Sequence, residues 1–272
     1  MNRLTGLFVV LVFAAGAIAA FDYPGYSPVG AALGNSYMAS GQFASSFLLN
    51  PALSALPKFY TASLSYFQLF NMRELAYAGG TVTIPHGNWG IGAAAETFGG
   101  SRYRESRFAL NMARRWSNNH FALGITASFY NVNARNYPAA STVGISLGIQ
   151  YGLLSNLRIA GSVENINQPK LNGRAEEIPQ RIRLGFQYNP LPDIDTFVTV
   201  EKDAYFDPDL LLGLALHPAA SLKIYSGFSL QSSLPSGGIA LQIGRLNINY
   251  ALQYHFDLGT THFIGISISP GF

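Results

Sequence analysis

The chain of 272 residues contains no cysteine, and only 11% of its residues are charged. Without cysteine there is no disulfide scaffold, no thiolate metal centre and no lipid-modified cysteine after a leader. An ordinary soluble domain carries about 25% charged residues, so this chain lacks the ions with which such a domain covers its surface. Beyond its first twenty residues it also lacks any apolar run of the roughly 18 residues that a membrane-crossing helix needs. The net charge is +3 and no Lys/Arg run occurs. The sequence pI of 9.1 therefore reflects scarcity of charge rather than a basic patch, and no nucleic-acid partner is expected. What the chain does have is 49% hydrophobic residues, 13% aromatic residues and 28 glycines. That excludes intrinsic disorder. It leaves a secreted all-β protein with a neutral surface, or a membrane β-barrel.

The N-terminus reads as a secretory signal over residues 1–20. Arg3 precedes an apolar core from Leu7 to Phe13, and a small-residue string follows from Ala14 to Ala20 with Ala17-Ile18-Ala19 as the A-x-A box. The alternative, an uncleaved anchor helix, is weakened by the Ala/Gly content of that string. An exported chain is expected.

Residues 21–57 are rich in Gly, Ala, Ser and Pro and show no strand alternation. Within them Asn50-Pro51-Ala52 predicts a short helix start, because Asn caps free N–H groups and Pro suits the first helical position. Pro57 ends it. From residue 58 the period becomes two, most clearly in Leu246-x-Ile248-x-Tyr250-x-Leu252-x-Tyr254. Side chains on a strand alternate between faces, so each such segment has one oily face and one small or polar face. Fourteen segments follow one another, starting near Phe59, Arg73, Asn88, Glu105, His120, Ser141, Asn156, Pro179, Ile194, Asp209, Ala220, Leu234, Arg245 and Thr260. Gly79-Gly80 interrupts the second and predicts a bulge.

The connections alternate too. The even ones are tight, as at His86-Gly87-Asn88, Ser117-Asn118-Asn119-His120 and Gly244-Arg245, whereas the odd ones include long stretches at Asn131–Ser141 and Asn165–Pro179. Short periplasmic turns and longer extracellular loops mark outer-membrane barrels, as do aromatic girdles. Trp89, Trp116, Phe121, Tyr151 and Tyr188 lie beside the short turns. A soluble sandwich accounts for the alternation but not for this parity. The fold expected is all-β: a transmembrane antiparallel barrel of about fourteen strands over 58–272, in the bacterial outer membrane. The terminal Phe272 is consistent with it.

The segment from Gly30-x-x-x-Gly34 through Ser45-Ser46-Phe47-x-x-Asn50-Pro51-Ala52, with Asp257-Leu258-Gly259-x-x-His262 before the final strand, resembles the PorV/PorQ family of FadL-like outer-membrane barrels. The resemblance implies that the N-terminal segment folds into the barrel as a hatch. It also implies one of two roles. The first is accessory to type IX protein secretion and surface attachment, with secreted cargo or other secretion components as partners. The alternative is passive transport of hydrophobic small molecules across the outer membrane, with a hydrophobic ligand.

Strand parity assigns Glu96, Arg107, Arg158, Glu164, Arg181, Arg183, Glu201 and Lys223 to the lumen, with lipid as the partner of the other face. A lipid-facing Arg or Lys at the bilayer midplane costs about 2–4 kcal/mol. These charges form either a polar conduit or an ion-pair network that fills the barrel. Arg181 and Arg183 are the strongest candidates for gripping a hatch carboxylate or an anionic ligand head. The small residues Gly90–Ala95 mark either packing against a plug or a lateral gate. The five histidines, His86, His120, His217, His255 and His262, stand in no hydrolase or metalloprotease motif. No enzyme activity, cofactor or metal is expected.

Overall fold

A computed structural model describes residues 20–21, 23, 25–116, 120–171, 178–204 and 206–268. The signal residues 1–19, the tip of the turn at 117–119 and the terminal Phe272 lie outside them. Fourteen antiparallel strands close into one barrel. They are β1 (Thr61–Gln68), β2 (Ala76–His86), β3 (Trp89–Gly99), β4 (Tyr103–Trp116), β5 (Phe121–Ala134), β6 (Ala140–Leu154) and β7 (Leu157–Glu164). The second half comprises β8 (Arg181–Leu191), β9 (Ile194–Asp203), β10 (Asp209–Ala219), β11 (Leu222–Ser229), β12 (Leu234–Ile243), β13 (Leu246–His255) and β14 (Gly259–Ile268). Closure is by β1 against β14, from Ala62 opposite Ile268 to Gln68 opposite His262.

Sidedness follows the alternation. Leu110, Met112, Leu123, Ile125, Ile182, Leu184, Ile264 and Ile266 are exposed on the outer wall, and the residues between them point inward. No helix among the described residues is long and apolar enough to cross a membrane. A closed barrel with an oily exterior crosses by its strands, because closure pairs every backbone group and leaves no edge in lipid. The connections at 87–88, 155–156, 192–193, 220–221 and 244–245 share one end, and those at 69–75 and 135–139 the other, where β7 also ends and β8 begins. Trp89, Trp116, Tyr151 and Tyr188 are exposed at the short-turn end. Arg114, on the oily face, lies 5.1 Å from the ring centroids of both Trp89 and Trp116.

Three sequence expectations about the barrel wall change. The second strand begins at Ala76 rather than near Arg73, because Arg73–Leu75 forms a 3-10 turn. Gly79-Gly80 makes no bulge: β2 keeps register with β1 and β3 throughout. Gly79 is instead a packing position, where an added Cβ would approach Cζ of Tyr77 to 2.8 Å. The connection expected over Asn131–Ser141 shrinks to 135–139, since Asn131 and Ala134 still pair with Ser106 and Tyr103. Ladder hydrogen bonds continue there without the oily alternation that reveals a strand in lipid.

The segment ahead of β1 runs through the interior. It contains α1 (Pro28–Ala32), α2 (Ser46–Leu49) and a 3-10 turn at Pro51–Ala55. The expected helix after Asn50 is thus a 3-10 turn, capped by Ala52 N donating to Asn50 Oδ1 at 3.1 Å. Helix α1 packs against β11–β14, and the 3-10 turn against β2–β6.

Candidate functional site

The interior brings together three groups of residues. The first holds the N-terminal segment to the wall. An irregular backbone at membrane depth leaves carbonyls that neither helix nor sheet satisfies. Wall side chains supply the donors: Ser162 Oγ to Leu49 O at 2.8 Å, Thr199 Oγ1 to Ser36 O at 2.7 Å and Asn111 Nδ2 to Pro51 O at 2.9 Å. Ser236 Oγ reaches Ala32 O at 3.1 Å and Thr83 Oγ1 reaches Ala44 O at 3.2 Å. Glycines let the two backbones approach. A Cβ at Gly90 would run into the Ser54 carbonyl, at Gly124 into the Pro51 carbonyl and at Gly148 into the Asn50 side chain. On the other side Gly185 faces Met38 and Gly227 faces Gly34. The small residues of β3 belong to this surface. That strand pairs without a break with β2 and β4, so packing explains Gly90 and Gly92.

The second group is an ion network toward the long-loop end. Arg107, 2% exposed, pairs with Glu96 and lies 3.6 Å from Glu164. Glu164 accepts from Arg183 Nη1 at 2.9 Å and stands 4.0 Å from Arg181. Arg183 also pairs with Glu201, and Arg181 Nε donates to Asp203 Oδ2 at 3.1 Å. Arg107 stacks on Tyr26 of the interior segment at 4.5 Å. Six of the eight expected lumen charges therefore meet in one network. Arg158 and Lys223 point inward but lie near the short-turn end, outside it. Lys223 lines a small cavity of about 70 Å³ with Ser45, Ser63, Asn247 and Asn249. Among the described residues Arg181 and Arg183 grip carboxylates of β7 and β9. The single carboxylate of 21–57, Asp22, lies outside the described residues. Asp203 and Glu105, which the sequence reading missed, share the inward parity of Glu201 and Arg107, so the signal for them was present.

The third group is aromatic. Phe67 stacks on Tyr77 at 4.5 Å and meets Phe263 at 4.6 Å. Tyr23 of the interior segment packs on Tyr77 and Phe98 at 5.3 and 5.4 Å, and Phe21 on Tyr130 at 4.7 Å. The Tyr77 hydroxyl donates to Glu96, which joins this cluster to the ion network. The Tyr23 hydroxyl donates a hydrogen bond to Glu105 Oε2 at 3.0 Å.

The terminal hairpin motif stands apart from all three groups. Asp257 N and Leu258 N donate to His255 Nδ1 at 3.2 and 3.3 Å, and Gly259 has φ +88°. His262 is exposed on the outer wall, 2.7 Å from the Tyr250 hydroxyl. These residues shape a turn rather than line the lumen.

A closed antiparallel barrel with an oily exterior and an inward polar network is the fold of outer-membrane β-barrels. No protein-family model and no curated protein matches the chain. Solved structures do. The Pseudomonas putida toluene transporter TodX aligns with a TM-score of 0.69 at 12% identity, over 92% of this chain and 99% of its own. The Ralstonia pickettii toluene transporter TbuX gives 0.67 at 13%, over 91% and 98%. A Pseudomonas aeruginosa FadL homologue gives 0.59 at 8%, over 90% and 98%. The chain has the fold of the FadL-like barrels.

Proposed function

We propose that the protein is an outer-membrane channel passing small apolar molecules, with residues 21–57 as its hatch. The aromatic cluster toward the long-loop end carries this reading. Its wall is built by Phe67, Tyr77, Phe98, Tyr130 and Phe263, and its filling by Phe21 and Tyr23 from the end of the interior segment. Withdrawal of those two side chains leaves an aromatic-walled recess, rimmed by the charges of Glu96 and Arg107 and by the Glu105 carboxylate that held them. Such a recess, apolar with few polar groups, is what recognition of a small hydrophobic molecule requires. The likeness in fold to toluene transporters favours this transport reading. It lends nothing to the role in type IX secretion expected from the sequence, and no described feature favours that role.

The test is uptake of radiolabelled toluene by cells whose outer membrane carries or lacks the protein. Faster uptake with the protein is expected, with slower uptake when Phe21 and Tyr23 are replaced by Trp. Equal rates with and without the protein overturn the proposal. Loss of a surface-attached cargo in the deletion strain, with toluene uptake unchanged, would restore the secretion role.

A further inference from the structure

The backbone nitrogen of Phe21 is inside the barrel. Phe21 is 4% exposed, and its N–H donates to Glu105 Oε2 at 2.7 Å across 84 positions of sequence. Glu105 is itself 4% exposed. It also accepts from the hydroxyls of Tyr23 at 3.0 Å and Tyr103 at 2.7 Å. A second feature coincides at the same residue. Phe21 has φ 66°, the left-handed region, which a bulky L-residue adopts only under strain because its Cβ crowds the backbone. The torsion φ is defined by the carbonyl carbon of the preceding residue. At a chain's first residue it does not exist, and the strain goes with it.

We propose that the leader is cut between Ala20 and Phe21, and that the freed α-ammonium of Phe21 forms a buried ion pair with Glu105 that anchors the interior segment in the barrel. Hydrolysis adds one water across the bond. Ala20 keeps the hydroxyl oxygen as its carboxylate, and the Phe21 nitrogen leaves as an amine that takes up a proton at neutral pH, since α-amino groups titrate at about 7.7–8.0. A neutral N–H donor thereby becomes a charged one opposite a carboxylate, and charge-assisted hydrogen bonds are the stronger kind. The Ala17-Ile18-Ala19 box taken alone places the cut after Ala19. That would leave Ala20 on the chain, so the Phe21 nitrogen would stay a neutral amide and Phe21 would keep its φ of 66°. Relief of that torsion, together with a charge placed on the nitrogen that faces Glu105, selects the next bond. Cleavage then does more than release the protein from the inner membrane: it creates the group that fastens its N-terminus. The proposal rests on the reading of residues 1–20 as a cleaved leader, and in the transport reading withdrawal of Phe21 has to break this pair.

Two measurements on the full protein purified folded from outer membranes test it. Intact mass and N-terminal sequencing should give Phe21 as the first residue. Ala20 as the first residue, or a retained leader, overturns the proposal. Acylation of the folded barrel by a water-soluble succinimidyl ester should then modify the α-amine about tenfold more slowly than in Glu105→Gln, equivalent to ~1.4 kcal/mol. The amide keeps the shape of Glu105 and removes its charge, so equal rates overturn the ion pair even where the cut is confirmed. Should Glu105→Gln fail to assemble, folded and urea-unfolded wild type are compared, and equal α-amine reactivity in the two states is the overturning result.

Discussion

Asn50 donates an Nδ2 proton to the backbone carbonyl of Ile149, in β6, at 3.0 Å. The same amide donates to Met38 O at 3.2 Å and accepts from Ala52 N at 3.1 Å. One side chain thus caps a turn, ties two stretches of the interior segment together and fixes both to the barrel wall. No other residue type of this size supplies two donors and an acceptor at once.

That division of labour separates two substitutions. Asn50→Ala is expected to destabilise the folded barrel by about 2–4 kcal/mol, as loss of a cap and of donors to buried carbonyls add. Asn50→Asp retains the cap acceptor but turns an anion on two carbonyl oxygens, so it should be at least as damaging. Urea titration of the barrel, read by gel mobility without heating, checks both. A fully stable Asn50→Asp variant would show that the Ile149 and Met38 contacts contribute nothing.

Glu164 touches arginines from two strands, Arg107 of β4 and Arg183 of β8. Glu164→Gln leaves buried guanidinium groups short of a counter-charge, which costs about 3–5 kcal/mol. The same urea assay reads the loss, and the double variant Glu164→Gln with Arg183→Met should recover part of it. A double variant no better than the single one would mean the two groups are not coupled.

Gly124 and Gly148 face the Pro51 carbonyl and the Asn50 side chain where no Cβ fits. Gly148→Ala should push the 3-10 turn off the wall, at a cost of about 1–3 kcal/mol, and expose residues 38–55 to protease added to open membranes. Gly244, at φ +61° with nothing within 4 Å of an added Cβ, lies in a short turn away from the segment. Gly244→Asn should leave the protease pattern unchanged.

On the outer wall the position of a charge decides its effect. Leu110 is 70% exposed at mid-strand, and Leu110→Arg should cost about 2–4 kcal/mol in lipid. Arg114, four residues on, sits between Trp89 and Trp116 at the interface, so Arg114→Ala should change stability by less than about 1 kcal/mol. Vesicle refolding titrations compare them. Equal costs would place the membrane elsewhere along the strands.

Much of this architecture could be read from the sequence because strand sidedness is a local property. A Cβ alternates whatever the rest of the chain does, so Glu96, Arg107, Glu164, Arg181, Arg183 and Glu201 were assignable to the lumen one strand at a time. Strand count and connection parity followed from the same local period. The edges blurred where lipid no longer enforces it, as at Asn131–Ala134. Which inward residues meet depends on closure. Arg107 and Glu164 belong to β4 and β7, which are not neighbours in the sheet, and they touch only because the curving wall brings them across β5 and β6. Nothing in the spacing could report that distance, nor that Arg158 and Lys223 stay apart from the network. The glycines behave likewise. As a sequence they were an excess without an address, and only the path of residues 25–57 through the interior shows which of them a backbone lies against. The sequence determined that there is a barrel and which side faces lipid, because alternation is local. The tertiary structure decided what fills it, because close approach and charge pairing across a lumen are set by curvature that no stretch of chain carries alone.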